Sequence, residues 1–125
     1  MRFRLPAHKT VLLVEDDPDI REGMADILRD SGRWVVEAED GQDAFAKLNF
    51  LGRPCLILLD LLMPRMDGYE FLQRLKERPD APDFPVLVLS AHASVDAAEH
   101  YPGVVGTLRK PFPVRTLLSW VEALC

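Results

Sequence analysis

The sequence predicts an α/β domain built on a doubly wound, five-stranded parallel sheet, and three observations carry that prediction. The apolar runs at 10–14, 56–59 and 86–89 are continuous rather than alternating, as in strands covered on both faces. Segments with apolar residues at helical spacing separate them. Strand and helix then alternate five times along the chain, the pattern of a parallel sheet with helices on both sides.

Residues 10–14 read as the first strand and run into Glu15-Asp16-Asp17. Pro18 suits the first turn of a helix and Asp17 its cap. Ile20, Met24, Ile27 and Leu28 give that helix its predicted inner stripe, and Ser31-Gly32 stops it. Residues 34–38 read as a short second strand, Asp40-Gly41 as a turn, and Ala44, Phe45 and Leu48 as the inner face of the next helix. Pro54 restarts the chain into the third strand, four aliphatic residues ending in Asp60, after which Pro64 and Gly68 turn it. Phe71, Leu72 and Leu75 mark a third helix, ended by Pro79 and Pro82. Residues 85–89 form the fourth strand and deliver Ser90. Residues 94–100 leave room for only a short helix before Pro102-Gly103. The thinnest strand signal is 104–108, followed by Lys110-Pro111. Pro113 then opens a last helix with Val114, Leu117, Leu118 and Val121 inward. Right-handed crossovers favour the strand order 2-1-3-4-5, with the first and third strands flanking the switch point where ligands gather.

A chain of 125 residues accommodates one domain with a proper core, expected over 9–125 behind a short tail at 1–8. The 28% charged and 48% apolar composition is that of an ordinary globular protein. A net charge of -5 without a basic run argues against nucleic acid as a direct partner. No apolar stretch has the length of a membrane span or of a signal peptide, so a cytoplasmic location is expected. Cys55 and Cys125 lack metal-ligand spacing and read as reduced structural thiols.

The predicted sheet brings Glu15, Asp16 and Asp60 to one rim, with Ser90 and Lys110 closing it from the fourth and fifth strands. At about 5 Å and an effective dielectric near 20, each carboxylate pair costs on the order of 3 kcal/mol. Such a cluster raises pKa values or recruits cations, and both Lys110 and a hard divalent ion such as Mg²⁺ qualify. A carboxylate so supported, beside a lysine and a hydroxyl, is arranged to hold a phosphoryl group and to act as its nucleophile.

Those residues resemble the receiver domains of two-component response regulators over roughly 9–123. The likeness rests on Val14-Glu15-Asp16-Asp17, on the run from Leu58-Leu59-Asp60 through Met63-Pro64-Arg65-Met66-Asp67-Gly68, on Leu89-Ser90-Ala91, and on Lys110-Pro111-Phe112. The resemblance implies a flavodoxin-like (βα)5 fold of the single-domain chemotaxis-regulator type. It implies Asp60 as phosphoacceptor from a histidine kinase or histidine phosphotransfer protein, and Mg²⁺ held directly by Asp16 and Asp60, through water by Glu15, and by the backbone carbonyl of Leu62. Ser90 takes the place of the switching hydroxyl and Lys110 that of the phosphate-binding lysine. Such a domain catalyses only its own phosphorylation and dephosphorylation, and signals through a protein target, an output domain or phosphorylation-dependent homodimerisation, with no membrane partner.

The chain departs from the family pattern in two places. Thr107 stands where an aromatic residue commonly turns inward on activation, and the segment from Ser90 to Lys110 is short by a couple of residues. The positions that tune phosphate lifetime in the family hold Leu62 and His92. Leu62 cannot orient an attacking water, so slow self-dephosphorylation is expected.

Taken singly, each motif has a plainer explanation. Glu15-Asp16-Asp17 suits a helix cap, Asp60 a turn, Ser90 a strand end and Lys110 a surface lysine. One geometry explains all four together. His8, His92 and His100 lack ligand spacing, and Trp34 and Trp120 read as packing residues. Three other classes compete. A receiver-like module acting without phosphorylation gains from Thr107 and loses from the intact acidic, hydroxyl and lysine set. A phosphatase of the haloacid-dehalogenase type needs a second aspartate where Leu62 stands. A flavodoxin-like cofactor binder lacks a phosphate loop after the first strand.

Overall fold

Five strands and four helices occupy the described residues of the computed structural model, which are 10–51, 54–63, 65–80, 84–90 and 101–125. In chain order they are β1 (Thr10–Val14), α1 (Pro18–Asp30), β2 (Trp34–Ala38), α2 (Gly41–Leu51), β3 (Leu56–Asp60), α3 (Gly68–Lys76), β4 (Val86–Ser90), β5 (Val104–Arg109) and α4 (Val114–Leu124). The sheet order is β2-β1-β3-β4-β5 and every pairing is parallel, as the continuous apolar runs require.

Because strand side chains alternate, each central strand feeds two separate cores. Leu12, Val14, Ile57, Leu59, Val86 and Val88 pack under α2 and α3 around Phe71, Leu72 and Leu48. Val11, Leu13, Leu56, Leu58, Leu87 and Leu89 pack on the other face against Leu28 of α1 and Leu117 and Val121 of α4. Each aliphatic or phenyl side chain so buried contributes about 1.5–3 kcal/mol. Polar residues cannot enter these strands without cost until the strand ends, which is where Asp60 and Ser90 stand.

Helix ends follow local chemistry. Asp17 Oδ1 accepts from the amides of Asp19 and Ile20 and starts α1, and Gly32 takes φ +92° just after it. Asp67 caps α3 by accepting from Glu70 N. Gly68 lets α3 start hard against β3, since a Cβ there would stand 2.5 Å from Leu61 Cα and 2.7 Å from the Asp60 carbonyl oxygen.

Several sequence expectations need correction. Ile20 and Val114, each in the first turn of its helix, are exposed; Ala25 supplies burial on α1 instead. Trp34, on the edge strand β2, leaves half its surface open rather than packing fully. Trp120 does pack, with its ring over β5 where a Cβ on Gly106 would approach it to 2.4 Å. The cysteines are not free thiols. Cys55 and Cys125 form a disulfide with Cα atoms 5.4 Å apart, because α4 returns along the sheet and brings the last residue beside the start of β3. The tail at 1–8 and the predicted short helix at 94–100 lie outside the described residues.

Candidate phosphoacceptor site

The parallel register sets the site. Val14 pairs with Leu59, Asp60 with Leu89, and Ser90 with Arg109, so the residues that follow β1 and β5 emerge beside Asp60 on one edge. Lys110 N donates to the Ser90 carbonyl at 2.9 Å and carries the lysine over the rim; its peptide bond to Pro111 is cis.

Glu15 is buried and bound at every polar end. Its amide donates to Ala38 O (3.0 Å), and its carbonyl accepts from Arg21 Nη1 (2.8 Å). Oε2 accepts from Asp17 N (3.3 Å) and Oε1 from Lys110 Nζ (2.6 Å). Asp60 is also buried, its Oδ1 accepting from Leu62 N at 3.2 Å and its Oδ2 lying 3.5 Å from Lys110 Nζ. Asp16 is the most solvent-open of the three acids. One carboxylate oxygen from each of Glu15, Asp16 and Asp60 lies within 4.8 Å of the others.

The electrostatics follow from this crowding. Burial first, then the hydrogen bond to Glu15 and the charges of Glu15 and Asp17, push the Asp16 carboxyl above its usual 3.8, with a backbone hydrogen bond opposing. For Lys110, burial pulls the pKa down. The Glu15 hydrogen bond and the charges of Asp60 and Glu15 outweigh that and hold it above 10.5. Three hard oxygen donors at this spacing, with one lysine against them, suit a small divalent cation.

The structure brings together Glu15, Asp16, Asp60 and Lys110, with Ser90 fully buried at the end of β4. Leu62 is exposed just beyond Asp60. Thr107 is half-buried on β5 opposite Val88, away from the acidic cluster along its strand. His92 lies outside the described residues. Two residues escape the sequence reading. Asp40, read there only as a turn, is 1% exposed, and it pairs with Arg65, a residue quoted there only as part of a motif. Beside Lys110, an apolar cleft of about 360 Å³ is lined by Ile20, Met24, Pro111 and Phe112. No helix among the described residues is long and apolar enough to cross a membrane.

Known proteins are similar to this chain in sequence and fold. The response regulator receiver domain family matches residues 11–122. The response regulator MprA of Mycolicibacterium vanbaalenii is 38% identical over 91% of this chain and 49% of its own length. The chain thus spans about half the length of such curated relatives. Among solved structures, the Vibrio cholerae chemotaxis protein CheY4 superposes with a TM-score of 0.81 at 31% identity, covering 95% of this chain and 100% of that one. The Thermotoga maritima response regulator TrrA, solved in complex with Mg²⁺-BeF, gives 0.80 at 27% identity over 94% and 99%. The flavodoxin-like sheet, the acidic rim and these likenesses agree, and the chain belongs to the response regulator receiver domain family.

Proposed function

We propose that this domain accepts a phosphoryl group on Asp60 from a histidine kinase or histidine phosphotransfer protein, with Mg²⁺, and passes the signal through altered protein contacts. The observation that carries the reading is the convergence of Glu15, Asp16 and Asp60 within 4.8 Å under Lys110. That the related TrrA was solved in complex with Mg²⁺-BeF supports a role for Mg²⁺ in this reading.

Asp16 and Asp60 would hold Mg²⁺ directly, with Glu15 through water and the Leu62 carbonyl completing the protein ligands. Bound there, the ion supplies neutralisation of the charge on the transferring phosphoryl oxygens. Asp60 Oδ forms the bond to phosphorus while the P–N bond of the donor phosphohistidine breaks, and the departing imidazole nitrogen keeps its electron pair and takes up a proton. Lys110 Nζ, 3.5 Å from Asp60 Oδ2, is placed to bond a phosphoryl oxygen, and the Ser90 hydroxyl to donate to another. The apolar cleft with exposed Ile20 gives a donor protein a surface to dock against beside Lys110. Leu62 offers no group to orient water, which favours a long-lived phosphate, and His92 is the residue placed by sequence to modulate it.

Incubation with acetyl phosphate and Mg²⁺ followed by intact mass tests the proposal. A single phosphoryl addition lost in Asp60→Asn is expected. Addition that survives Asp60→Asn places the acceptor elsewhere. No addition with acetyl phosphate or with a panel of histidine kinases favours a receiver-like module that acts without phosphorylation, the reading that Thr107 at the usual aromatic position keeps in play.

A further inference from the structure

On the side of Asp60 away from Lys110, the loop leaving β3 is gripped by the loop between β2 and α2. Met66 sits in the core with its carbonyl accepting from Gly41 N at 3.0 Å. A Cβ at Gly41 would stand 2.7 Å from that carbonyl oxygen, so the approach depends on glycine. Next to it, Asp40 is 1% exposed; its Oδ1 accepts from Asp43 N at 2.8 Å and starts α2, while its Oδ2 forms an ion pair with Arg65 Nη2. The same Nη2 donates to Glu39 Oε1 at 2.9 Å. Arg65 takes φ +59°, a left-handed conformation that L side chains seldom adopt.

An exposed arginine paired with an exposed acid holds little in place. Here one partner is a buried carboxylate that already serves a helix end, and losing the guanidinium leaves it uncompensated. The loop so anchored carries Leu62, whose amide donates to Asp60 Oδ1. Loop position and carboxylate orientation are therefore linked.

We propose that Arg65, clasped by Asp40 and Glu39, is a positioning residue that fixes the loop after Asp60 and so sets the cation affinity of the acidic site. The inference rests on the phosphoacceptor reading and deepens it.

The test compares Mg²⁺ titration calorimetry and amide hydrogen exchange for the parent domain, Arg65→Ala, Arg65→Lys, Asp40→Asn and the Arg65→Ala/Asp40→Asn double variant. Asparagine keeps the cap on α2 while removing the charge. Arg65→Ala is expected to weaken Mg²⁺ binding roughly three- to tenfold and to speed exchange of the Gly41 and Leu62 amides, with exchange in the β1 and β3 cores unchanged. Arg65→Lys should restore part of the affinity by keeping the charge. The double variant should bind no more weakly than the weaker single one, since both substitutions break one link. Equal Mg²⁺ affinity in parent and Arg65→Ala overturns the inference alone. A parent that takes up no Mg²⁺ overturns the phosphoacceptor reading and this inference with it.

Discussion

Lys110 Nζ donates to Glu15 Oε1 at 2.6 Å and stands farther from Asp60 Oδ2, at 3.5 Å. The lysine is thus engaged first with the acid that follows β1, and a divalent cation entering the cluster competes with it for negative charge. Lys110→Met is expected to bind Mg²⁺ about three- to tenfold more tightly by calorimetry, and to accept a phosphoryl group more slowly from acetyl phosphate. Weaker Mg²⁺ binding in this variant would contradict the competition.

Asp16 sets a pH dependence whose sign follows from its raised pKa. The folded protein favours the neutral carboxyl, so its contribution to stability is present below about 3.8, the usual value, and is lost as pH rises through the raised one. At neutral pH the ionised Asp16 is a liability in the metal-free protein. Asp16→Asn should therefore raise the metal-free melting temperature by a few degrees at pH 7, with the gain vanishing at pH 3. The same variant should lose the stabilisation that added Mg²⁺ gives the parent. Thermal unfolding with and without Mg²⁺ at the two pH values checks both halves.

Two glycines on helices should respond to alanine with opposite signs. Gly68→Ala places a methyl group against Leu61 Cα and the Asp60 carbonyl, and should destabilise by roughly 1–3 kcal/mol in urea titration. Gly23, inside α1, has open space where a Cβ would go. Gly23→Ala should stabilise by about 0.5–1 kcal/mol through helix propensity. Equal effects would mean that α3 does not abut β3 as described.

The Cys55–Cys125 link spans 70 residues of sequence. Under non-reducing conditions the intact protein should be lighter by two hydrogen atoms than after reduction. Reduction, or Cys125→Ser, should lower stability by about 2–4 kcal/mol, since a loop of that size is freed in the unfolded chain. An unchanged mass on reduction would return both residues to the status of thiols.

The buried strands and the acidic rim were legible because strong constraints act there. A continuous run such as 56–59 has few homes outside a covered strand, and a carboxylate at its end must meet other polar groups. The register that sets Asp60 beside Glu15 follows from topology rules that leave few alternatives. What stayed hidden depends on contacts between elements. Nothing local to Arg65 reveals that Glu39 and Asp40, more than twenty residues earlier, turn toward it. Cys55 and Cys125 met only through the path of α4, and compartment statistics pointed to free thiols. Ile20 and Val114 fitted their helical stripes by spacing, yet both are exposed in the first turns of α1 and α4, since spacing fixes a face and not a depth.

The bond between Lys110 and Glu15 joins residues 95 positions apart. Contacts of that separation close the largest loops and form slowly relative to local ones. On a ribosome, β1 and β3 emerge and acquire Glu15, Asp16 and Asp60 well before β5 and its lysine. A nascent chain at that stage carries the acidic residues without their counter-charge, and the acidic rim gains its lysine only once β5 has been made. The site thereby reports that the whole sheet, through its fifth strand, has been built.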